Sequence, residues 1–174
     1  MKNGHDHGSK STLHRFGATH HILFAWTPEC DLGIPIIDEQ HRGIVATINS
    51  LHYAVYHNLG GHMILPVVGM VNEYTRIHFE VEEKILTNCN YPDLASHRQL
   101  HYKLVQKMAE IGSESMVRRD PYPFLNFLKG WWHDHICGED RKFRGFWRED
   151  ETGCGVIPSE LAYLRHPGQP LAPG

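Results

Sequence analysis

His78 and Glu82 stand four residues apart in "HFEVE", and His97 and His101 stand four apart in "HRQLH". On a helix that spacing places both members of a pair on one face, with Cβ atoms about 6 Å apart. A single pair of this kind is common on protein surfaces. Here both pairs fall in stretches whose apolar residues recur with helical period, as do His41 and His135. A polar group buried without a partner costs about 1–3 kcal/mol, and a buried charge costs more. A shared metal would satisfy these groups together. Five imidazoles with carboxylates exceed what one tetrahedral zinc uses, so the count points to two ions. Imidazole suits iron, zinc, copper or nickel, so ligand type alone leaves the metal open.

Asp140 lies five residues after His135 in "HICGED", too far round a regular helix to share its face. If Gly138 ends the helix, the chain can turn and bring Asp140 back toward the metal. Taken alone, Asp140 reads as a solvated acid at a helix end. The tandem His133–Asp134 raises a second class, a metal-dependent phosphohydrolase of the HD type. That reading needs His133 inward, which leaves His135 about 200° away around the axis. It also leaves both four-residue pairs unexplained, so His133 and Asp134 are assigned to solvent.

Four helices must carry these residues. From Asp38 the stripe Ile44, Ile48, Leu51 and Val55 defines the first, stopped at "NLGG". The second runs from about Pro66 to Leu86, with Pro66 in the first turn, where its missing N–H costs nothing. The third begins near Asp93 and carries Leu94, His97, His101, Leu104, Met108 and Ile111. The fourth follows Asp120 as N-cap and Pro121 as first helical residue, carries Leu125, Leu128, Trp132 and His135, and ends at Gly138. Helices of roughly 18 to 22 residues with short connections predict an all-α, up-and-down antiparallel four-helix bundle. Residues 1–21 read as a flexible, histidine-rich arm, 22–147 as the bundle, and 148–174 as a loosely structured extension with a short helix at "SELAYLRH". Gly43 costs the first helix about 1 kcal/mol relative to alanine, with no reason visible in the sequence.

Bulk properties narrow the classes further. The 174 residues suit one domain with a full core, and 41% are hydrophobic. A formal net charge of −3 without a long basic run argues against nucleic acid. The N-terminal stretch lacks a signal-peptide core, its longest apolar run being "ILFAW", and nothing reaches the roughly 20 apolar residues of a membrane span. Cys30, Cys89, Cys137 and Cys154 form no C-x-x-C pair and read as reduced thiols, Cys89 and Cys137 as structural rather than redox-active. The expectation is a cytoplasmic monomer. His52, His57 and His62 read as surface or loop residues.

The stretches "GIPIIDEQH" (33–41), "HFEVEE" (78–83), "YPDLASHRQLH" (91–101) and "WWHDHICGEDRKF" (131–143), with Trp26, resemble hemerythrin, most closely a single-domain bacterial hemerythrin. The resemblance covers most of residues 22 to 147. It implies a non-haem di-iron centre with a bridging oxo or hydroxo group. His97, His101 and His135 would hold the saturated iron, His41 and His78 the iron with an open position, and Glu82 and Asp140 would bridge. It implies reversible dioxygen binding for storage, for delivery to an oxygen-using enzyme, or for sensing with a signalling partner. On this reading the protein is not an enzyme; the alternative is a di-iron redox enzyme, an oxidase, peroxidase-like or nitric-oxide-handling, on the same site. Trp131 and Trp132 would line the oxygen pocket. Trp132 departs from the family, which usually has leucine there. Its indole would narrow the pocket and exclude water, hinder oxygen entry, or swing outward as packing alone.

Overall fold

In the computed structural model, which describes residues 22–147, four helices follow one another: α1 Pro35–Tyr56, α2 Gly60–Asn88, α3 Leu94–Arg118 and α4 Tyr122–Trp131. α4 continues into a π-helical segment, Trp132–Glu139, and a 3-10 turn, Asp140–Phe143. α1 packs on α2, α2 on α3, α3 on α4, and α4 back on α1. The short connections make sequential helices antiparallel, so the four-helix bundle expected from the sequence is the architecture. No helix among the described residues is long and apolar enough to cross a membrane.

Three helices end in one repeated way. Asn58, Asn90 and Arg119 adopt left-handed backbone, with φ of 55°, 51° and 55°. The amide after each donates back across six residues: Leu59 to the Ala54 carbonyl, Tyr91 to Leu86, and Asp120 to Ser115. These are Schellman-type stops built without glycine. α1 therefore stops at "NLGG" as expected, through Asn58, while the two glycines start α2 at Gly60. Pro66 accordingly sits inside α2 rather than in its first turn. α4 begins at Tyr122, whose amide donates to Asp120 Oδ1 at 3.0 Å, one residue from the expected start. Gly138 does not end the last helix, because the backbone widens into π winding and continues through it.

Two apolar clusters stack along the bundle. The larger holds Ile44, Ile48, Val71, Phe79, Met108, Leu128 and Trp132, and the smaller holds Leu32, Ile37, Ile85, Tyr91 and Phe143. Each helix, α4 by way of its continuation to Phe143, passes through both, with its polar residues between: on α1 the order is Ile37, His41, Ile44. α3 repeats that order, and α2 and α4 reverse it, as antiparallel helices must. One polar layer thus crosses the whole interior.

Residues before α1 lie across the bundle. Asn49 holds them, its side-chain oxygen accepting the Leu23 and Phe24 amides at 3.0 Å and its NH2 donating to the Phe24 carbonyl at 2.8 Å. Asp38 accepts the amides of Leu32 and Gly33, at 2.7 and 3.0 Å. Gly33 has φ +82°, where a side chain would be strained. Gly43 also gains a reason: an added Cβ would lie 2.2 Å from the Tyr74 hydroxyl, so its absence leaves room for the end of that side chain. Cys30 and Cys137 are free thiols, whereas Cys89 is disulfide-bonded, so the expectation of reduced thiols fails there. Pairing depends on geometry that spacing does not encode. Cys154, the histidine-rich stretch 1–21 and "SELAYLRH" lie outside the described residues.

Candidate metal centre

The polar layer draws from every helix. α1 supplies His41, α2 supplies His78 and Glu82, α3 supplies His97 and His101, and the π segment supplies His135, with Asp140 at the head of the 3-10 turn. All are buried. His41 Nε2 lies 3.3 Å from His78 Nε2 and 3.4 Å from Asp140 Oδ2. His78 Nε2 lies 3.4 Å from Glu82 Oε2. Opposite them, the His101 ring is centred 4.3 Å from His97 and 5.0 Å from His135. His97 hydrogen-bonds Glu82, His101 Nε2 lies 3.3 Å from Glu82 Oε1, and His135 Nε2 lies 3.4 Å from Asp140 Oδ1. Each carboxylate therefore touches histidines of both sets.

Two overlapping groups result: His97, His101, His135 and Asp140; and His41, His78, Glu82 and Asp140. Within each group the possible ligand atoms all lie within 4.8 Å of one another. Trp131 and Trp132 lie outside these groups.

Asp140 arrives by a route the sequence did not reveal. On a regular helix, five residues carry a side chain about 140° round the axis. Here the Asp140 amide donates to the His135 carbonyl, the i→i+5 bond of π winding. That wider turn brings the two side chains back into line. The sequence reading reached the same position through a chain reversal at Gly138, which does not occur.

The electrostatics ask for a cation. Burial holds His41 down to about 4 and His78 down to about 3, and it holds His135 well below the ordinary histidine range. Burial also opposes charge on Glu82, but the close His101 and His97 imidazoles outweigh it and keep that carboxyl well below the usual range. Asp140 goes the other way, pushed well above by burial and by the neighbouring Glu82 charge. His101 is raised, since Glu82 and Glu83 more than offset its burial. Among the described residues, Glu82 Oε2, His101 Nε2, both His135 nitrogens and both Asp140 oxygens lack hydrogen-bond partners. Uncharged imidazoles with free lone pairs, and two carboxylates that cannot cheaply share one dry site, fit bound metal.

Two side chains missed in the sequence stand behind the histidines. Gln40 Oε1 lies 3.2 Å from His78 Nδ1, and Glu83 Oε1 lies 2.8 Å from His101 Nδ1. Each is a chain neighbour of a site residue, one step off the apolar stripe, so periodicity carried no sign of it. The signal available was the doubled acid in "VEEK" and the amide in "EQH".

The tryptophans face different ways. Trp132 is buried, its ring centred 5.7 Å from Phe24 and 5.9 Å from Trp26, so the outward swing does not occur. Trp26 in turn lies 6.4 Å from the His41 ring, with the Arg42 guanidinium over its face at 4.8 Å. Trp26 Nε1 donates to Asp31 at 2.9 Å. Trp131 instead packs by His135, at 6.4 Å, and both border an open cavity of about 410 Å³ between α3 and α4 with Leu100, Leu104 and Phe127. His133 and Asp134 are exposed, as expected.

A helical bundle whose buried layer holds histidines and carboxylates in two overlapping groups defines a protein built to bind metal cations. The model of the hemerythrin HHE cation binding domain matches residues 32–146, and the chain belongs to that family. It is similar to a bacteriohemerythrin of Stenotrophomonas maltophilia (strain R551-3), at 30% identity over 122 residues, covering 70% of this chain and 79% of that protein. A bacteriohemerythrin of Clostridium acetobutylicum is 26% identical over 127 residues, 70% of this chain and 98% of its own. A hemerythrin-like protein of Naegleria gruberi is 26% identical over 122 residues, 70% of this chain and 92% of its own.

Proposed function

We propose that this centre holds two iron ions and binds dioxygen reversibly, for oxygen storage, delivery or sensing. In this reading His97, His101 and His135 would hold one iron, His41 and His78 would hold the other, and Glu82 and Asp140 would serve both. The observation that carries it is the overlap of the two groups: Asp140 belongs to both, and Glu82 touches His78 on one side and His97 and His101 on the other. The His41–His78 side has one histidine fewer, which makes it the place for an external ligand. Iron held there would supply the electrons that reversible oxygen uptake draws on and returns. The chain supplies the surroundings. Trp26 lies against His41 with Trp132 and Phe24 behind it, a dry aromatic wall that slows water and protons. Five imidazoles and two carboxylates make a less anionic centre than carboxylate-rich di-iron sites, which favours binding over oxygen activation. Residues 22–147 form the binding domain, with residues 1–21 and 148–174 as flanking arm and extension.

The test is anaerobic loading with ferrous iron, then cycles of oxygen and inert gas while iron content and the visible spectrum are followed. Two irons per chain and a charge-transfer band that appears and disappears with oxygen are expected. A chain that holds two irons yet oxidises irreversibly on first exposure would overturn the reading.

A further inference from the structure

We propose that Glu83 is a positioning residue that makes the two metal positions unequal, its carboxylate strengthening the three-histidine position through His101. This rests on the two-metal reading above. Glu83 and Gln40 perform the same geometric task on opposite sides of the layer, but with different charge. The His101 ring presents Nε2 to the centre, 3.3 Å from Glu82, and turns Nδ1 to Glu83 at 2.8 Å. A carboxylate can only accept, so Nδ1 carries the proton and the Nε2 lone pair is free for an ion.

Glu83 is itself held. Arg98 Nε donates to its other oxygen at 3.1 Å, and the same guanidinium donates to Thr87 Oγ1 at 3.1 Å. Thr87 Oγ1 donates back to the Glu83 carbonyl at 2.6 Å. The carboxylate is thereby clamped between α2 and α3 with little freedom to leave the imidazole.

On the other side the partner of His78 is the neutral carboxamide of Gln40, at 3.2 Å, and His41 Nδ1 has no hydrogen-bond partner among the described residues. A negative acceptor behind an imidazole raises its basicity and stiffens it more than a neutral one does. The three-histidine position therefore gains a donor enhanced by charge, and the two-histidine position does not. The sequence places a carboxylate behind the saturated position and leaves the position with the free site less strongly held.

The experiment titrates the metal-free full-length chain with cobalt(II) under anaerobic conditions. Stepwise affinities come from chelator competition, the cobalt visible bands report each position, and circular dichroism reports the fold. The native chain should load in two resolved steps. Glu83→Gln, which keeps an acceptor and removes the charge, should weaken the first step roughly 10–100-fold, leave the second nearly unchanged and preserve the fold. Gln40→Glu should strengthen the second step and narrow the gap. Equal weakening of both steps in Glu83→Gln, or no weakening with two ions still bound, would overturn the proposal and leave the two-metal reading standing. A native chain that takes up no cobalt would remove both.

Discussion

The Asp140 amide donates its hydrogen bond to the His135 carbonyl, five residues earlier, and this one widened turn brings a carboxylate into line with an imidazole. The helix accepts poorer backbone winding there, and the site gains an acid shared by both groups of histidines.

That acid is an energetic burden without a cation, because burial and the Glu82 charge push its carboxyl well above the usual range. Asp140→Asn keeps the shape and removes the burden. The metal-free variant is expected to unfold at equal or higher denaturant, by about 1 kcal/mol, while its capacity falls below two ions per chain. Denaturant titration of the metal-free protein beside metal analysis checks both halves. A less stable variant that still holds two ions would refute the account.

Acid sensitivity follows from the histidines. Burial holds His41 down to about 4 and His78 down to about 3, below the ordinary 6.5 that the unfolded chain offers. The unfolded state therefore binds more protons. The stability these groups contribute is present above pH 6.5 and is lost as pH falls toward 4 and then 3. His101, raised by Glu82 and Glu83, works in the opposite sense, losing its contribution as pH rises through its elevated value. Asp140, raised by burial and the Glu82 charge, also opposes the loss, while the lowered His135 and Glu82 add to it, so decline on acidification is the net direction. Urea midpoints of the metal-free chain between pH 7 and pH 4 should decline steadily by an amount worth a few kcal/mol. A flat profile would contradict this.

Trp132→Leu would leave Trp26 without its neighbour at 5.9 Å and open the wall beside His41. The expected cost is about 1–3 kcal/mol of stability together with faster irreversible oxidation of the iron-loaded protein. Stopped-flow oxygen uptake and the decay of the oxygenated spectrum measure it. Unchanged uptake and decay would show that the indole serves packing alone.

Gly43→Ala should destabilise the protein by about 1–2 kcal/mol although alanine favours helix, because its Cβ would meet the Tyr74 hydroxyl at 2.2 Å. Tyr74→Ala in the same background should remove the penalty, and thermal unfolding of the four-member cycle reads the coupling. Additive effects would rule the contact out as the reason for the glycine.

How much was legible in the sequence divides along a physical line. The positions of His78, Glu82, His97 and His101 were readable because a four-residue repeat and an apolar stripe both follow from helix geometry. The antiparallel order followed from the short connections. The stop at "NLGG" was readable, its Asn58 taking left-handed backbone normally associated with glycine, but the two glycines belong to the next helix and moved its start ahead of Pro66. The π winding through Gly138 left no periodic trace, since one extra residue in a turn looks like a change of face. Gln40 and Glu83 escaped because side chains that hold a histidine from behind need only reach it. Trp26 was visible only as part of the family resemblance, and its place against His41 depends on Asn49, 25 residues from Phe24.

The polar layer between the two apolar clusters also bears on how this bundle comes apart. A seam of mutually repelling carboxylates and dry imidazoles transmits little cohesion from one end of the molecule to the other. Without cations, hydrogen exchange should show the end around Ile85 and Phe143 opening on a different free energy from the end around Ile48 and Leu128. With ions gripping all four helices at the seam, both ends should exchange together, and metal content would decide whether this chain behaves as one cooperative unit or two.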